Sequence, residues 1–411
     1  MQAKGVYLRG IHELYPPTSS IMDREREFQC KRLYTVFKGY PMANTIFDYL
    51  EWRGDLSLAK SEFNIVDNLI LAVLSYVPFD GIVSEKITAH GISVEEAGRQ
   101  FAFLDPAKLP IRDPKDIELL KALAASKRFG PMTLSGYVNK TDYETEKQFS
   151  AITINTGDKM SFISFRGTDL TLVGWKEDFN MSFQTPVPSQ EEAVRYLEEA
   201  AKRVHGKMRL GGHSKGGNLA VYASAFCRNT VQNRIIAVYN NDGPGFNSGI
   251  IGMKGFIDMK ERLFAFIPQS SIIGMLMEHN EQYTIVNSTQ TGILQHDPYS
   301  WSVTGTDFLR VETVTNASLF IDKTVKEWIG NMDSAQRELF CDALFSVLGA
   351  SGAKNLTELT TDRLKAARAM VKTFSHLDEP TKKVLHETLA LLFQTAAKNF
   401  QPFIPSRKER A

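Results

Sequence analysis

Arg209-Leu210-Gly211-Gly212-His213-Ser214-Lys215-Gly216-Gly217-Asn218-Leu219-Ala220 is the stretch that decides how this chain folds. It contains a G-x-S-x-G sequence, Gly212 to Gly216, set between two kinds of text. The run before it, Lys207-Met208-Arg209-Leu210, suits a strand, and the Ala-rich NLAVYASAFC after it suits a helix. A serine at the tip of a strand–turn–helix elbow sits in strained backbone. Glycines two residues to either side let helix and strand approach without a Cβ clash. The start of the helix then turns its free N–H groups toward any oxyanion that develops at the serine.

Outward from the elbow, the text alternates between strand and helix. Residues 134–140, 148–155 and 160–166 read as strands broken by turns such as Gly157-Asp158, and 191–204 reads as a helix. Arg234-Ile235-Ile236-Ala237-Val238-Tyr239 is a β-branched run of the central-strand kind. Two further strands are expected at Leu263-Phe264-Ala265-Phe266-Ile267 and Tyr283-Thr284-Ile285-Val286. This alternation predicts an α/β fold with a mostly parallel, doubly wound sheet flanked by helices. Upstream, apolar residues at 66, 69, 70, 73 and 74 keep helical spacing, and residues 93–129 hold two helices punctuated by Pro106, Pro110 and Pro114. Residues 1–40 are mixed in character. Beyond about residue 316 the strand signals stop and helix-period positions take over, Leu339, Phe340, Ala343, Leu344 and Val347 among them. The expected partition is therefore an α/β domain over 1–315 and a helical extension over 316–411, with a frayed tail at 402–411.

Composition narrows the class. With 411 residues, 43% of them hydrophobic and 23% charged, the chain can bury a substantial core. A net charge of +1 gives no reason to expect nucleic acid or an anionic membrane as the main partner. Three dispersed cysteines, Cys30, Cys227 and Cys341, offer neither a metal spacing nor a disulfide framework, and they suit a reducing cytoplasm. No signal-peptide h-region and no apolar run of membrane-spanning length is read in the sequence.

A nucleophilic serine needs a base, an acid to orient it and oxyanion donors, and in the elbow-type order the acid and histidine follow the serine. Four histidines follow Ser214: His279, His296, His376 and His386. The last two fall in the helical tail, and His279 ends an apolar helix-like stretch. His296 lies in Thr291-Gly292-Ile293-Leu294-Gln295-His296-Asp297-Pro298-Tyr299, a loop after the last strand, where a base must overhang the sheet. Asp242, in Asn240-Asn241-Asp242-Gly243-Pro244-Gly245, follows the strand after the elbow and is the candidate acid, although Asp-Gly-Pro-Gly is also ordinary turn text. Asp258, Glu261, Glu278 and Glu281 sit in helix-like or charged surface text. Phe162-Ile163-Ser164-Phe165-Arg166-Gly167-Thr168-Asp169 ends a strand at a glycine and a hydroxyl. Thr168, through its N–H and hydroxyl, and the N–H of Lys215 are the expected oxyanion donors. Lys215 is not a Ser-Lys base, since neighbouring side chains on a turn diverge.

Two of these segments carry a resemblance. Phe165-Arg166-Gly167-Thr168-Asp169, followed by Gly174-Trp175-Lys176-Glu177-Asp178, resembles the FRGT…DW…D block of class 3 lipases, and GHSKGGNLA resembles their GHSLGGALA elbow with Lys in place of Leu. With Asn240 to Phe246 and QHDPYSW the chain more closely resembles the Mbeg-like bacterial family, over roughly residues 45–305. The resemblance implies an α/β-hydrolase-like fold, with Ser214 as nucleophile, His296 as base and Thr168 as an oxyanion residue. Class 3 lipases carry their acid after the strand equivalent to residues 263–267. Here Pro268-Gln269-Ser270-Ser271 follows instead, so the acid comes from Asp242 or the site is a dyad.

The expected activity is serine hydrolysis of a carboxylic ester, from a small molecule or a lipid, with a transient lipid-surface contact compatible and no metal or organic cofactor implied. A hydrolase fold used only for binding, and a protease or acyltransferase on the same scaffold, are the competing expectations. The early helices or the C-terminal helices are candidates to roof the pocket.

Overall fold

Eight strands pair side by side in the order in which the chain makes them. The structure, a computed structural model, describes residues 44–399 apart from 170, 279–281, 351 and 353–362. The expectations made for residues 1–40 and 402–411, and those for His279 and Glu281, lie outside the described residues. The strands are β1 (Ile92–Ser93), β2 (Thr133–Asp142), β3 (Lys147–Asn155), β4 (Met160–Phe165), β5 (Lys207–His213), β6 (Ile235–Asn241), β7 (Leu263–Pro268) and β8 (Tyr283–Val286). Pairing is antiparallel from β1 to β4 and parallel from β4 to β8. The fold is α/β-hydrolase-like, with a mostly parallel sheet between helical layers.

The sheet is not doubly wound. Its parallel strands advance in one direction from β4 to β8, with no reversal of order. Successive right-handed crossovers that never reverse must place their helices on a single face. Those helices are α6 (Pro188–Arg203), α7 (Lys215–Phe226) and α8 (Lys254–Met259). They pack on Ala151, Ile163, Phe165, Leu210 and Val238. Side chains alternate across a strand, so Ile152, Ile154, Phe162 and Tyr239 point the other way. That second face is covered by the earlier helices α1 (Ile46–Arg53), α2 (Ile65–Leu74), α3 (Val94–Phe101) and α4 (Pro114–Ala125). Alternating text reveals two covered faces, whereas which helix covers which face depends on strand order.

Helix α2 matters most for the site. Asn64 caps it in a reciprocal capping box with Asp67, and Asp67 is ion-paired with Arg128 where both side chains are fully buried. The same guanidinium donates to the carbonyls of Leu56, Ser61 and Glu62, so the buried charge is well satisfied. Leu69, Ile70 and Val73 of α2 are fully enclosed, and truncating such a leucine or isoleucine to alanine costs about 2–5 kcal/mol. This anchoring fixes Tyr76, just past the helix, against the elbow.

A short hairpin, β9 (Val303–Thr304) with β10 (Asp307–Phe308), turns through Gly305 at φ +62° and was not legible in the sequence. The C-terminal helices are α9 (Asn316–Gly330), α10 (Ser334–Gly349), α11 (Arg363–His376) and α12 (Glu379–Asn399). They gather a small core of their own from Phe340, Cys341, Ala343 and Leu385, with Trp328 against it. Helix α10 also packs on α5 (Leu172–Asn180), through Phe345 on Phe179 at 5.5 Å and Asp342 on Lys176 at 2.7 Å.

Candidate active site

The elbow is built where β5 stops and α7 starts. Ser214 holds φ +59° and ψ −136°, backbone that residues with a Cβ rarely adopt. Its own N–H is tied to the Asn241 carbonyl at 2.9 Å, and its hydroxyl does not cap the helix that it opens. The glycines are required by close approach. A Cβ on Gly212 would lie 2.2 Å from the Gly216 carbonyl carbon, and one on Gly216 would lie 2.1 Å from the Phe165 oxygen. Phe165 ends β4, so the same glycines bring the end of β4 against the serine. A Cβ on Gly167 would sit 3.0 Å from the Ser214 Cβ, which places the Gly167–Thr168 backbone beside the hydroxyl-bearing carbon.

Strand β6 runs to Asn241, two residues beyond its expected end, and Asp242 follows at once with φ +55°. The Asp242 N–H donates to the Phe266 carbonyl at 2.8 Å, and its side chain is buried. One carboxylate oxygen accepts from the Ser271 hydroxyl (2.5 Å) and the Gly274 N–H (3.1 Å). The other lies 2.6 Å from Nδ1 of His296. Ser271 occupies the stretch after β7 where the lipase resemblance puts the acid. The carboxylate has come from the neighbouring strand, and a hydroxyl from the usual position supports it. Asn218, in the elbow sequence, braces the Asp242 loop by donating to the carbonyls of Pro244 (3.1 Å) and Gly245 (2.9 Å).

His296 ends a short 3-10 turn, Gly292–His296, and its side chain is about a quarter exposed, at 26%. The turn is pinned at Gln295, through both its backbone and its side chain. Trp301 Nε1 donates to the Gln295 carbonyl at 3.0 Å, and Gln295 Oε1 accepts the Ser270 N–H at 2.7 Å. His213, beside the serine, lies 2.8 Å through Nε2 from the His296 carbonyl, with the two rings 4.6 Å apart. Burial holds the His213 imidazole pKa well below 6.5, and the nearby His296 adds to this. The ring is therefore neutral. Its Nε2–H donates to the carbonyl, and its Nδ1 accepts the Tyr76 hydroxyl at 3.0 Å. Neither His213 nor Tyr76 stood out in the sequence, since their relation rests on an approach across 137 residues.

On the oxyanion side one expectation needs revision. The Thr168 hydroxyl does not stand free to meet a substrate oxygen, because it donates to Asp178 Oδ2 at 2.5 Å. The backbone N–H of Thr168 is the group left for that task. Lys215 opens α7, so its N–H belongs to the first turn and has no partner within the helix. The Lys215 side chain turns inward to Glu177 and the Gln148 carbonyl, each at 3.0 Å, away from any role as a base for Ser214. Among the alternative acids, Asp258 is paired with Lys254 on the surface of α8.

The arrangement has the parts for acyl transfer. A hydroxyl at a strained elbow is flanked by first-turn and strand-end N–H groups, and an imidazole is oriented through Nδ1 by a buried carboxylate. Among the described residues no group of three or more His, Cys, Asp or Glu side chains is placed to hold a metal.

No curated protein matches the sequence. Two lipases are among the solved structures that resemble it. A deletion mutant of Rhizomucor miehei lipase, in a propeptide complex, is 13% identical with a TM-score of 0.36, the match covering 58% of this chain and 77% of that one. M37 lipase is 15% identical with a TM-score of 0.29, covering 50% of this chain and 68% of that one. A family model described as Mbeg1-like matches residues 123–346. The match starts after α2, takes in the β4 end, the elbow, the Asp242 loop and the His296 turn, and continues into α10. It spans more than half of the sequence, and the chain belongs to the Mbeg1-like family.

Proposed function

We propose that the protein is a serine hydrolase of carboxylic esters, working through an acyl-enzyme. Ser214 Oγ attacks the ester carbonyl while Nε2 of His296 takes its proton. The N–H groups of Thr168 and Lys215 stabilise the tetrahedral oxyanion. His296 then gives the proton to the leaving alcohol, and water hydrolyses the acyl-enzyme by the same steps. The observation that carries this reading is the 2.6 Å contact between His296 Nδ1 and a carboxylate with no exposed surface. A buried acid aimed at the inner nitrogen of a partly exposed histidine fixes the tautomer in which Nε2 is free to act as a base. Ile293 and Leu294, 59% and 61% exposed, precede His296 in the same turn. They favour an ester with an apolar acyl group, from a small molecule or a lipid.

The test is turnover of p-nitrophenyl esters of increasing acyl length beside the matching anilides, with the first turnover followed for a burst. Ester hydrolysis that outruns anilide hydrolysis supports the proposal. Anilide cleavage of equal efficiency moves the assignment to a protease, and no turnover of either leaves a binding module. Within the same assay, Asp242→Asn is expected to lower kcat on the order of 10⁴-fold, the cost of losing the orienting carboxylate in a comparable triad. Near-normal kcat in that variant reduces the machinery to a Ser214–His296 dyad.

A further inference from the structure

The two residues assigned to the oxyanion, Thr168 at the end of β4 and Lys215 at the start of α7, reach the same pair of adjacent acids on α5. Lys215 Nζ lies 3.0 Å from Glu177 Oε2 and 3.6 Å from Asp178 Oδ1. The Thr168 hydroxyl donates to the other oxygen of Asp178 at 2.5 Å. Glu177 is fixed in turn, accepting the N–H of Gln148 at 3.0 Å and of Ser189 at 2.8 Å, and Lys215 completes the ring on the Gln148 carbonyl. Both the lysine and Glu177 are buried. We propose that the Lys215 side chain and the Glu177–Asp178 pair are positioning residues that set the spacing between the two oxyanion donors.

An oxyanion hole makes a strict geometric demand. Two N–H groups from different parts of the chain must converge on one oxygen at about 2.7–3.1 Å. A displacement of about 1 Å is enough to cost on the order of 10²-fold in rate. At the elbow β4 and α7 approach through Gly212 and Gly216, and the β4–β5 pairing ends at Phe165 with Gly212, short of Thr168. The cross-tie through α5 holds both. A lysine taken out of water is costly unless it is fully paired, and a plain elbow has no need of one. Here the lysine donates to a carbonyl and one carboxylate, with a second carboxylate 3.6 Å away, and all three partners point it away from the substrate side. Burial pushes the Asp178 carboxyl up to about 6, and the charge of Lys215 opposes that rise. The lysine therefore also favours the carboxylate form that accepts the Thr168 hydroxyl.

This positioning role rests on the serine-hydrolase reading of Ser214, and the experiment separates the two. Fluorophosphonate labelling of the unaltered protein at Ser214 tests that reading by itself. Given labelling, Lys215→Met is expected to lower kcat about 10²-fold with KM within about twofold. Affinity for an alkylboronic acid, which forms a tetrahedral adduct on the serine, should fall by the same factor. A merely structural lysine would lower the melting temperature and leave both quantities in place. Asp178→Leu serves as the second variant, since it cuts the tie to Thr168 without stranding a charge and stays informative if Lys215→Met fails to fold. Positioning requires kcat to fall at least tenfold in Asp178→Leu. Unchanged or raised kcat there, from a threonine hydroxyl released to the oxyanion, overturns the proposal. So does Lys215→Met with normal kcat and normal boronate affinity.

Discussion

Ser214→Ala should abolish fluorophosphonate labelling and lower ester turnover on the order of 10⁶-fold, to whatever rate the oxyanion donors and binding sustain without a nucleophile. This is the scale of loss when the serine of such a constellation is removed, because base and acid then have nothing to activate. The melting temperature should hold or rise. Ser214 sits at φ +59° without a capping bond of its own, so the hydroxyl contributes little to the fold. The strain of that backbone is present in both proteins and cancels in the comparison. Labelling and turnover by intact mass and by p-nitrophenyl ester assay decide the matter. An alanine variant that still labels, or still turns over at a tenth of the normal rate, removes Ser214 from the mechanism and with it the serine-hydrolase assignment.

The elbow was legible because its requirements are local. Strand text, two glycines at set offsets and an Ala-rich helix must occur together, and the distances about Gly212 and Gly216 show why nothing larger fits. Strands β2 to β8 were legible for the same reason, by apolar patterning within short windows, whereas β1 and the β9–β10 hairpin were not. What failed was non-local. No local pattern shows that the parallel strands advance in one direction and never reverse, so an expectation of double winding was natural and incorrect. The lysine at position 215 was visible as a departure from the lipase-like elbow. Its partner Glu177 lies 38 residues upstream on a helix that the lipase-like block had disguised as a motif.

The acid shows a different limit. Sequence order left open whether Asp242 approaches His296, since Asp-Gly-Pro-Gly is equally good turn text. Geometry brings the two side chains together for a reason rooted in β6. That strand continues to Asn241, whose carbonyl takes the Ser214 N–H, so the next residue emerges level with the elbow. Ser271 then supplies from the end of β7 a hydroxyl where the resemblance led one to look for a carboxylate. A family pattern read position by position reports this as a missing acid, whereas the adjacent strands exchange the two roles without moving the histidine.

His296→Ala should lower kcat for ester hydrolysis on the order of 10⁶-fold, as much as loss of the serine, since a serine hydroxyl without its base is a weak nucleophile at neutral pH. Its effect on stability has a definite sign. Removing the imidazole leaves the Asp242 carboxylate buried with the Ser271 hydroxyl and the Gly274 N–H as its remaining donors. A buried charge that loses a partner destabilises the fold, so the melting temperature falls while the protein stays folded. Adding Asp242→Asn to His296→Ala removes that charge and should recover much of the lost stability with no recovery of kcat. The two readouts then move in opposite senses, which loss of structure alone does not produce. Imidazole added to His296→Ala enters the space of the missing ring and should restore part of the turnover. His279→Ala, by contrast, should leave turnover near normal. If His279→Ala proves the crippling change and His296→Ala the mild one, the base has been misassigned, and the 2.6 Å contact with Asp242 serves only to hold the loop.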